Sequence, residues 1–303
     1  MKWITWFCLI ILSGLVGCTA ESPPSVIQLS ALQPVPEAPV TAVTPLRVAV
    51  AAIISPQGTA DSYAPMLDYL GAALNRPVQL VQRRTYAEVN ELVQNGEVDL
   101  AFVCTSAYVV GVRDFGMQLL AAPQVQGETV YHSLLIVPAT SNAQNMSDLR
   151  GKVFAFTDPI STTGRNYPIS LVQQLGQSPE TFFGRTFYTY SHDDAIRAVA
   201  TGVADGAAVD SLVYMFAVQR EPELAAQTRI IHQSPAFGMP PVVTGPDARP
   251  QLVADLQSIL LHMHEDANGR AALQQAGFEQ FVPIDDAAYD TVRHLELRVN
   301  DQP

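Results

Sequence analysis

Two stretches of the chain carry the same punctuation at an offset of 106 residues, as from Ile54 to Ile160. A fold built on such a repeat must hold two equivalent units. Ile54-Ser55-Pro56-Gln57-Gly58 matches Ile160-Ser161-Thr162-Thr163-Gly164 in Ile, Ser and Gly. Thr85-Tyr86-Ala87-Glu88 matches Ser191-His192-Asp193-Asp194, each a hydroxyl N-cap with a carboxylate three residues on. Gly96, Asp99, Ala101 and Val103 match Gly202, Asp205, Ala207 and Val209 with no net insertion. Each copy reads as strand, Ser-containing turn, helix, strand, capped helix, glycine stop, then the strand Val98 to Val103 or Ala204 to Val209. Chance convergence of two lobes on similar punctuation is the alternative; agreement among several independent signals favours a repeat. The fold class is then α/β, with two lobes around parallel-strand cores.

In open α/β sheets ligands sit outside the carboxyl ends of strands. The loops after matched strands are therefore expected to face one another across a cleft: 55–58, 104–106, 161–164 and 210–211. Folding is expected to start at Leu46, where 46–54 reads as a buried strand. Ahead of it, Lys2 and the apolar run from Trp3 to Leu15 read as a secretory signal ending Leu15-Val16-Gly17-Cys18. That ending resembles the lipobox of bacterial lipoproteins, with Cys18 as the lipidated residue; an ordinary signal cleaved nearby is the alternative. Prolines 23, 24, 34, 36, 39 and 45 mark a semi-rigid tether. The expected organisation is 1–17 signal peptide, 18–45 tether, 46–135 plus 235–303 first lobe, and 136–233 second lobe.

A formal charge of -12 without a basic cluster argues against nucleic acid. It leaves room for an anionic ligand, because helix N-termini and hydroxyls make locally favourable pockets within an acidic surface. Ser161-Thr162-Thr163-Gly164 has that composition: three hydroxyls ahead of a predicted helix 165–175, with Gly164 allowing close backbone approach. The same tetrapeptide also serves as an ordinary N-cap. No cofactor or metal is expected. His262 and His264 lie two apart in an apparent helix and point to different faces. The chain holds no Gly-x-Ser-x-Gly, P-loop or His-Glu-x-x-His, so no catalytic residues are assigned and an enzyme is not expected.

From Leu46 to Gly277-Phe278-Glu279-Gln280-Phe281 the chain resembles the phosphate, phosphite and phosphonate binding proteins of ABC transporters, the PhnD-like family. Asp158-Pro159-Ile160-Ser161-Thr162-Thr163-Gly164 with Pro168 is similar to that family's Asp-Pro-x-Ser-Thr-Ser-Gly with a downstream Pro. The resemblance implies a type II periplasmic-binding-protein fold and a ligand held on Ser161, Thr162 and Thr163. It also implies aromatic and His contacts from Tyr86, Tyr131 and His192, of which Tyr86 and His192 are partners in the repeat. The candidate ligand set is completed by Ser55, Cys104, Thr105, Ser106 and Asp210 from the facing loops.

Two departures shape the expected ligand. Acidic residues that hold the amine in aminoalkylphosphonate-binding members align with Leu212 and Met239. A small phosphorus oxyanion (phosphate, phosphite or a simple phosphonate) is therefore expected. Asp210 is available to accept a hydrogen bond from a protonated ligand oxygen, or else to cap a helix. Cys104, the repeat partner of Asp210, is the other departure: either a small core residue, or a thiol activated by a helix N-terminus. Some receptors of the superfamily bind arsenite through such a cysteine. The expected partners are thus an ABC permease or, alternatively, a sensor histidine kinase, with the membrane reached through the Cys18 lipid on the periplasmic or cell-surface side.

Overall fold

The computed structural model describes residues 43–300; the signal segment, Cys18 and the tether as far as residue 42 lie outside them. The first unit runs β1 (Leu46–Val50), α1 (Pro56–Leu74), β2 (Val78–Val81), α2 (Tyr86–Gln94), β3 (Leu100–Phe102), α3 (Thr105–Phe115), β4 (Gln118–Gln124). After β5 (Val130–Tyr131) the second begins with β6 (Ser133–Pro138), β7 (Val153–Phe156), a π-helical turn (Thr162–Asn166), α4 (Tyr167–Gln174) and α5 (Pro179–Phe182). It continues through β8 (Arg185–Tyr188), α6 (His192–Ala200), β9 (Gly206–Asp210), α7 (Ser211–Arg220), α8 (Pro222–Gln227) and β10 (Thr228–Gln233). The chain then returns through β11 (Phe237–Gly238), β12 (Val242–Thr244), α9 (Pro250–His262), α10 (Ala267–Ala276), β13 (Gln280–Val282) and α11 (Asp290–Asn300).

The two main sheets share a four-strand core arrangement. The first is ordered β13-β4-β12-β3-β1-β2 and the second β10-β6-β9-β7-β8. In each, a parallel trio (β2-β1-β3, β8-β7-β9) is flanked by an antiparallel strand, β12 or β6. Helix α6 begins and ends at the repeat positions of α2. Asp99 accepts the Arg47 N–H at 2.8 Å while its own N–H bonds the Arg47 carbonyl; Asp205 does the same with Val153, also at 2.8 Å. Gly96 and Gly202 end the matched helices at φ 63° and 75°, where a side chain would be strained.

Helices cover both faces of the first sheet at its parallel trio β2-β1-β3, as parallel strands require. Leu46, Val48 and Val50 face Met66, Leu70, Leu256 and Leu273, whereas Ala49 and Ala51 face the side of Val89, Val93 and Ala107. Strand β1 stops at Val50, short of the expected Ile54. The Ile53 N–H turns back onto the Ala51 carbonyl at 2.7 Å, which brings Pro56 into the first turn of α1. Residues 133–135, read from sequence as the end of the first lobe, pair with β9 and β10 in the second sheet. The crossings lie side by side: β5 pairs with β11, and Ser133 N–H donates to Ser234 Oγ at 2.8 Å. Behind them α11 packs on α3 and α4, one from each unit.

Candidate functional site

Tyr86 opens α2, Thr105 opens α3, Thr162 opens the π turn and His192 opens α6. All four are buried where the units meet, and the unpaired N–H groups of helix starts give such a place a positive potential. The repeat partners Tyr86 and His192 each give a backbone N–H to the opposite unit, to Asp158 Oδ2 at 3.0 Å and to the Ile53 carbonyl at 2.9 Å. The tightest cross-link is a reciprocal pair. Ser106 N–H donates to Thr162 Oγ1 at 2.8 Å, and Thr162 Oγ1 donates to Ser106 Oγ at 2.8 Å. The cleft is therefore closed.

The three hydroxyls of the Ser-Thr-Thr turn do three different jobs. Ser161 Oγ accepts the Gly164 N–H at 3.0 Å and caps the turn. Thr162 is committed to Ser106. Thr163 Oγ1 is buried with no partner in the protein. The turn is π-wound, since the Asn166 N–H reaches the Ser161 carbonyl five residues back at 2.9 Å. Gly164 is required for a reason other than access to a ligand: a Cβ there would lie 1.8 Å from Thr157 Oγ1.

Tyr86 Oη, from the other unit, is likewise buried without a partner. Burial first, then the nearby Cys104, Asp158, Asp210 and Tyr131, hold its pKa well above the ordinary value, so it is a neutral O–H donor. Tyr131 Oη accepts from Thr105 Oγ1 at 2.9 Å, and Thr105 Oγ1 also contacts the Gly238 carbonyl at 3.1 Å, joining both crossings to α3. His192 Nδ1 accepts the Asp210 N–H at 3.0 Å, which places its proton on Nε2. Burial lowers its pKa to about 3, so the ring is neutral.

Asp210 caps α7, with Oδ1 taking the Leu212 and Val213 N–H groups at 2.7 and 3.3 Å. Burial pushes its pKa up to about 7, against the lowering effect of those two bonds. Near neutrality this carboxyl therefore exists both with and without its proton. Cys104 lies at the edge of this group. Its thiol sits at the start of α3, 3.8 Å from Thr162 Oγ1, yet burial outweighs the neighbouring hydrogen bonds and raises its pKa. It is a neutral, buried thiol rather than an activated nucleophile.

Ser55 stands apart from this group. It is half-buried at the start of α1, makes no side-chain cap, and donates its N–H to Asp193 Oδ1 of the other unit at 2.8 Å. Two polar residues that the sequence did not flag join the site. Asn166 Nδ2 donates to Ser106 Oγ at 3.3 Å and to Glu296 Oε1 at 3.1 Å, so α11 reaches into the cross-link. Burial raises the Glu296 pKa. The only advance signal for Glu296 is a carboxylate on an otherwise buried helix face. Among the described residues no group of three His, Cys, Asp or Glu side chains is placed to hold a metal.

Comparison with known proteins agrees with this architecture. The family described as "ABC transporter, phosphonate, periplasmic substrate-binding protein" matches residues 48–289. The phosphate-import protein PhnD of Mycolicibacterium smegmatis is 28% identical over 258 residues, covering 77% of this chain and 79% of that protein. A binding protein component of an ABC phosphonate transporter from Pseudomonas aeruginosa superposes with a TM-score of 0.79 at 23% identity, over 84% of this chain and 86% of that one. PhnD1 from Prochlorococcus marinus, solved with methylphosphonate, gives 0.75 at 17% identity, over 85% and 98%. At those identities the two structures establish the two-lobe type II fold and no more.

Proposed function

The chain belongs to the periplasmic substrate-binding proteins of phosphonate ABC transporters, and from that premise we propose that it captures a small phosphorus oxyanion, such as phosphate, phosphite or a simple phosphonate, by closing its two lobes. One observation carries the reading. Among the described residues, Tyr86 Oη and Thr163 Oγ1 are buried in the cleft wall without partners, one from each lobe, as is Thr157 Oγ1 behind Gly164. Buried polar groups are costly when unpaired, and a tetrahedral oxyanion between Tyr86 and Thr163 would satisfy both. His192 Nε2–H would add a third neutral donor. Asp210, poised to give or take one proton, would suit a ligand carrying an acidic oxygen, which sulfate lacks near neutrality.

Because the ligand bridges Tyr86 and Thr163, binding favours the closed state, and closure presents the surface that a permease reads. The lipobox-like ending at Cys18 supports an exported protein held to the membrane by an acyl anchor. The raised pKa of Cys104 weighs against thiolate capture of arsenite and a sensory role.

A thermal-shift panel of residues 18–303 with phosphate, phosphite, methylphosphonate, sulfate and arsenite tests the proposal. At least one phosphorus oxyanion should raise Tm and sulfate should not. A shift with arsenite alone, lost in Cys104→Ser, would overturn it.

A further inference from the structure

The crossings enter the two sheets at β6 and β12, and the edge strands β8 and β2 each stand three places further along. The loops after β2 and β8 therefore form the outer rim of the cleft. Arg84 follows β2 and Tyr190 follows β8, and the two are partners at the 106-residue offset. They meet across the lobes: the Arg84 guanidinium lies over the Tyr190 ring, 4.0 Å from its centroid. Two residues further on in each lobe come the buried Tyr86 and His192. Arg84 is exposed and Tyr190 half-buried, so the stack lies on the solvent side of two of the site's donors.

Tyr190 is strained where it stands. Its φ of 63° is in the left-handed region, which a bulky aromatic residue rarely adopts. The turn enforces it: the Tyr190 N–H donates to the Thr157 carbonyl at 2.7 Å, and Thr189 Oγ1 donates to the Ser191 carbonyl at 2.7 Å. The ring is steadied by Tyr188, 6.0 Å away between centroids, whose hydroxyl accepts the Arg165 Nε–H at 3.1 Å. Core packing does not ask for such a conformation at a half-exposed residue, and strain of this kind gathers where function fixes a side chain. Among the described residues Arg84 forms no ion pair with a carboxylate, which leaves the Tyr190 ring as its partner.

Resting on the reading of the cleft as a phosphorus-oxyanion site, we propose that Arg84 and Tyr190 form a clasp that holds the outer rim shut over bound ligand and sets how fast the ligand leaves. Opening about the crossings parts this rim furthest, so the stack breaks before the ligand escapes. Both residues act through the closed state and not by touching the ligand. A cation–π pair at an exposed position is worth about 0.5–1 kcal/mol, which makes release about two- to fivefold slower.

Phosphorus-31 exchange spectroscopy with methylphosphonate, phosphate and phosphite reads the dissociation rate, and calorimetry the affinity, for wild type, Arg84→Gln, Tyr190→Leu and the double variant. Each single variant should release ligand about two- to fivefold faster, and the double variant no faster than the singles. Tyr190→Gly removes the ring at a φ that glycine adopts freely, so it should speed release equally without a strained turn. Unchanged release in the single variants overturns the proposal. So do effects that multiply in the double variant, which would mean that Arg84 acts on the ligand without Tyr190. Either result leaves the oxyanion site standing. Failure of the wild type to bind any of the three oxyanions removes the reading on which the clasp rests.

Discussion

Ser106 and Thr162 hold each other across the cleft through two buried hydrogen bonds of 2.8 Å, backbone to hydroxyl in one direction and hydroxyl to hydroxyl in the other. They stand at the starts of helices in different lobes, so the pair reports directly on closure. Thr162→Val keeps the shape and removes both bonds. It leaves the Ser106 N–H buried without its acceptor, at a cost of about 1–3 kcal/mol. Ligand affinity should fall about tenfold or more, and small-angle scattering should show a larger radius of gyration at saturating wild-type ligand concentrations.

Tyr86→Phe and Thr163→Val should behave in the opposite way in the unliganded protein. Each removes a buried hydroxyl that has no partner, so the free protein should be unchanged or more stable by about 1 kcal/mol. Affinity should drop nonetheless. Thermal melts with and without ligand separate the two effects; a variant that loses stability and keeps affinity would show that its hydroxyl is not a ligand contact.

Asp210 and His192 give opposite dependences on pH. The Asp210 pKa is raised by burial from 3.8 to about 7, so the folded state holds a proton that the unfolded chain releases, and stability falls as pH rises between those values. His192 is lowered by burial from 6.5 to about 3, so the unfolded chain takes a proton first and stability falls as pH drops between those values. Relative to wild type, Asp210→Asn should gain stability as pH rises from 4 to 7. His192→Gln should gain as pH falls from 6.5 to 3. Tm measured across that range checks both signs.

Gly277 is the last specific lever. It combines a φ of 83° with the Phe216 ring lying over its Cα. Gly277→Ala should cost about 1 kcal/mol through the helix stop alone and more through displacement of the Phe216 ring. Gly277→Ala and Phe216→Ala should be less than additive in their effect on Tm, because removing the ring removes the clash.

The repeat was the legible part of this molecule. Capping boxes, glycine stops and the Asp99/Asp205 pair are local chemistry, and local chemistry survives in sequence as spacing. The roles of the hydroxyls at Ser161, Thr162 and Thr163 were not legible, because each depends on what the opposite lobe brings within 3 Å. Cys104 shows the same limit. Its helix-start position can be read from the chain, whereas the burial that outweighs it arises only when the lobes close over it. Asn166, Glu296 and Phe216 escaped for a related reason: their partners lie 60 to 130 residues away and share no periodicity with them.

Calorimetric titration of residues 18–303 with methylphosphonate, repeated on Thr163→Val, tests the oxyanion cleft most directly. The cleft described here requires saturable one-to-one binding by the wild type and at least a tenfold loss in the variant. Binding that Thr163→Val leaves untouched, or no heat from methylphosphonate, phosphate or phosphite, would contradict it.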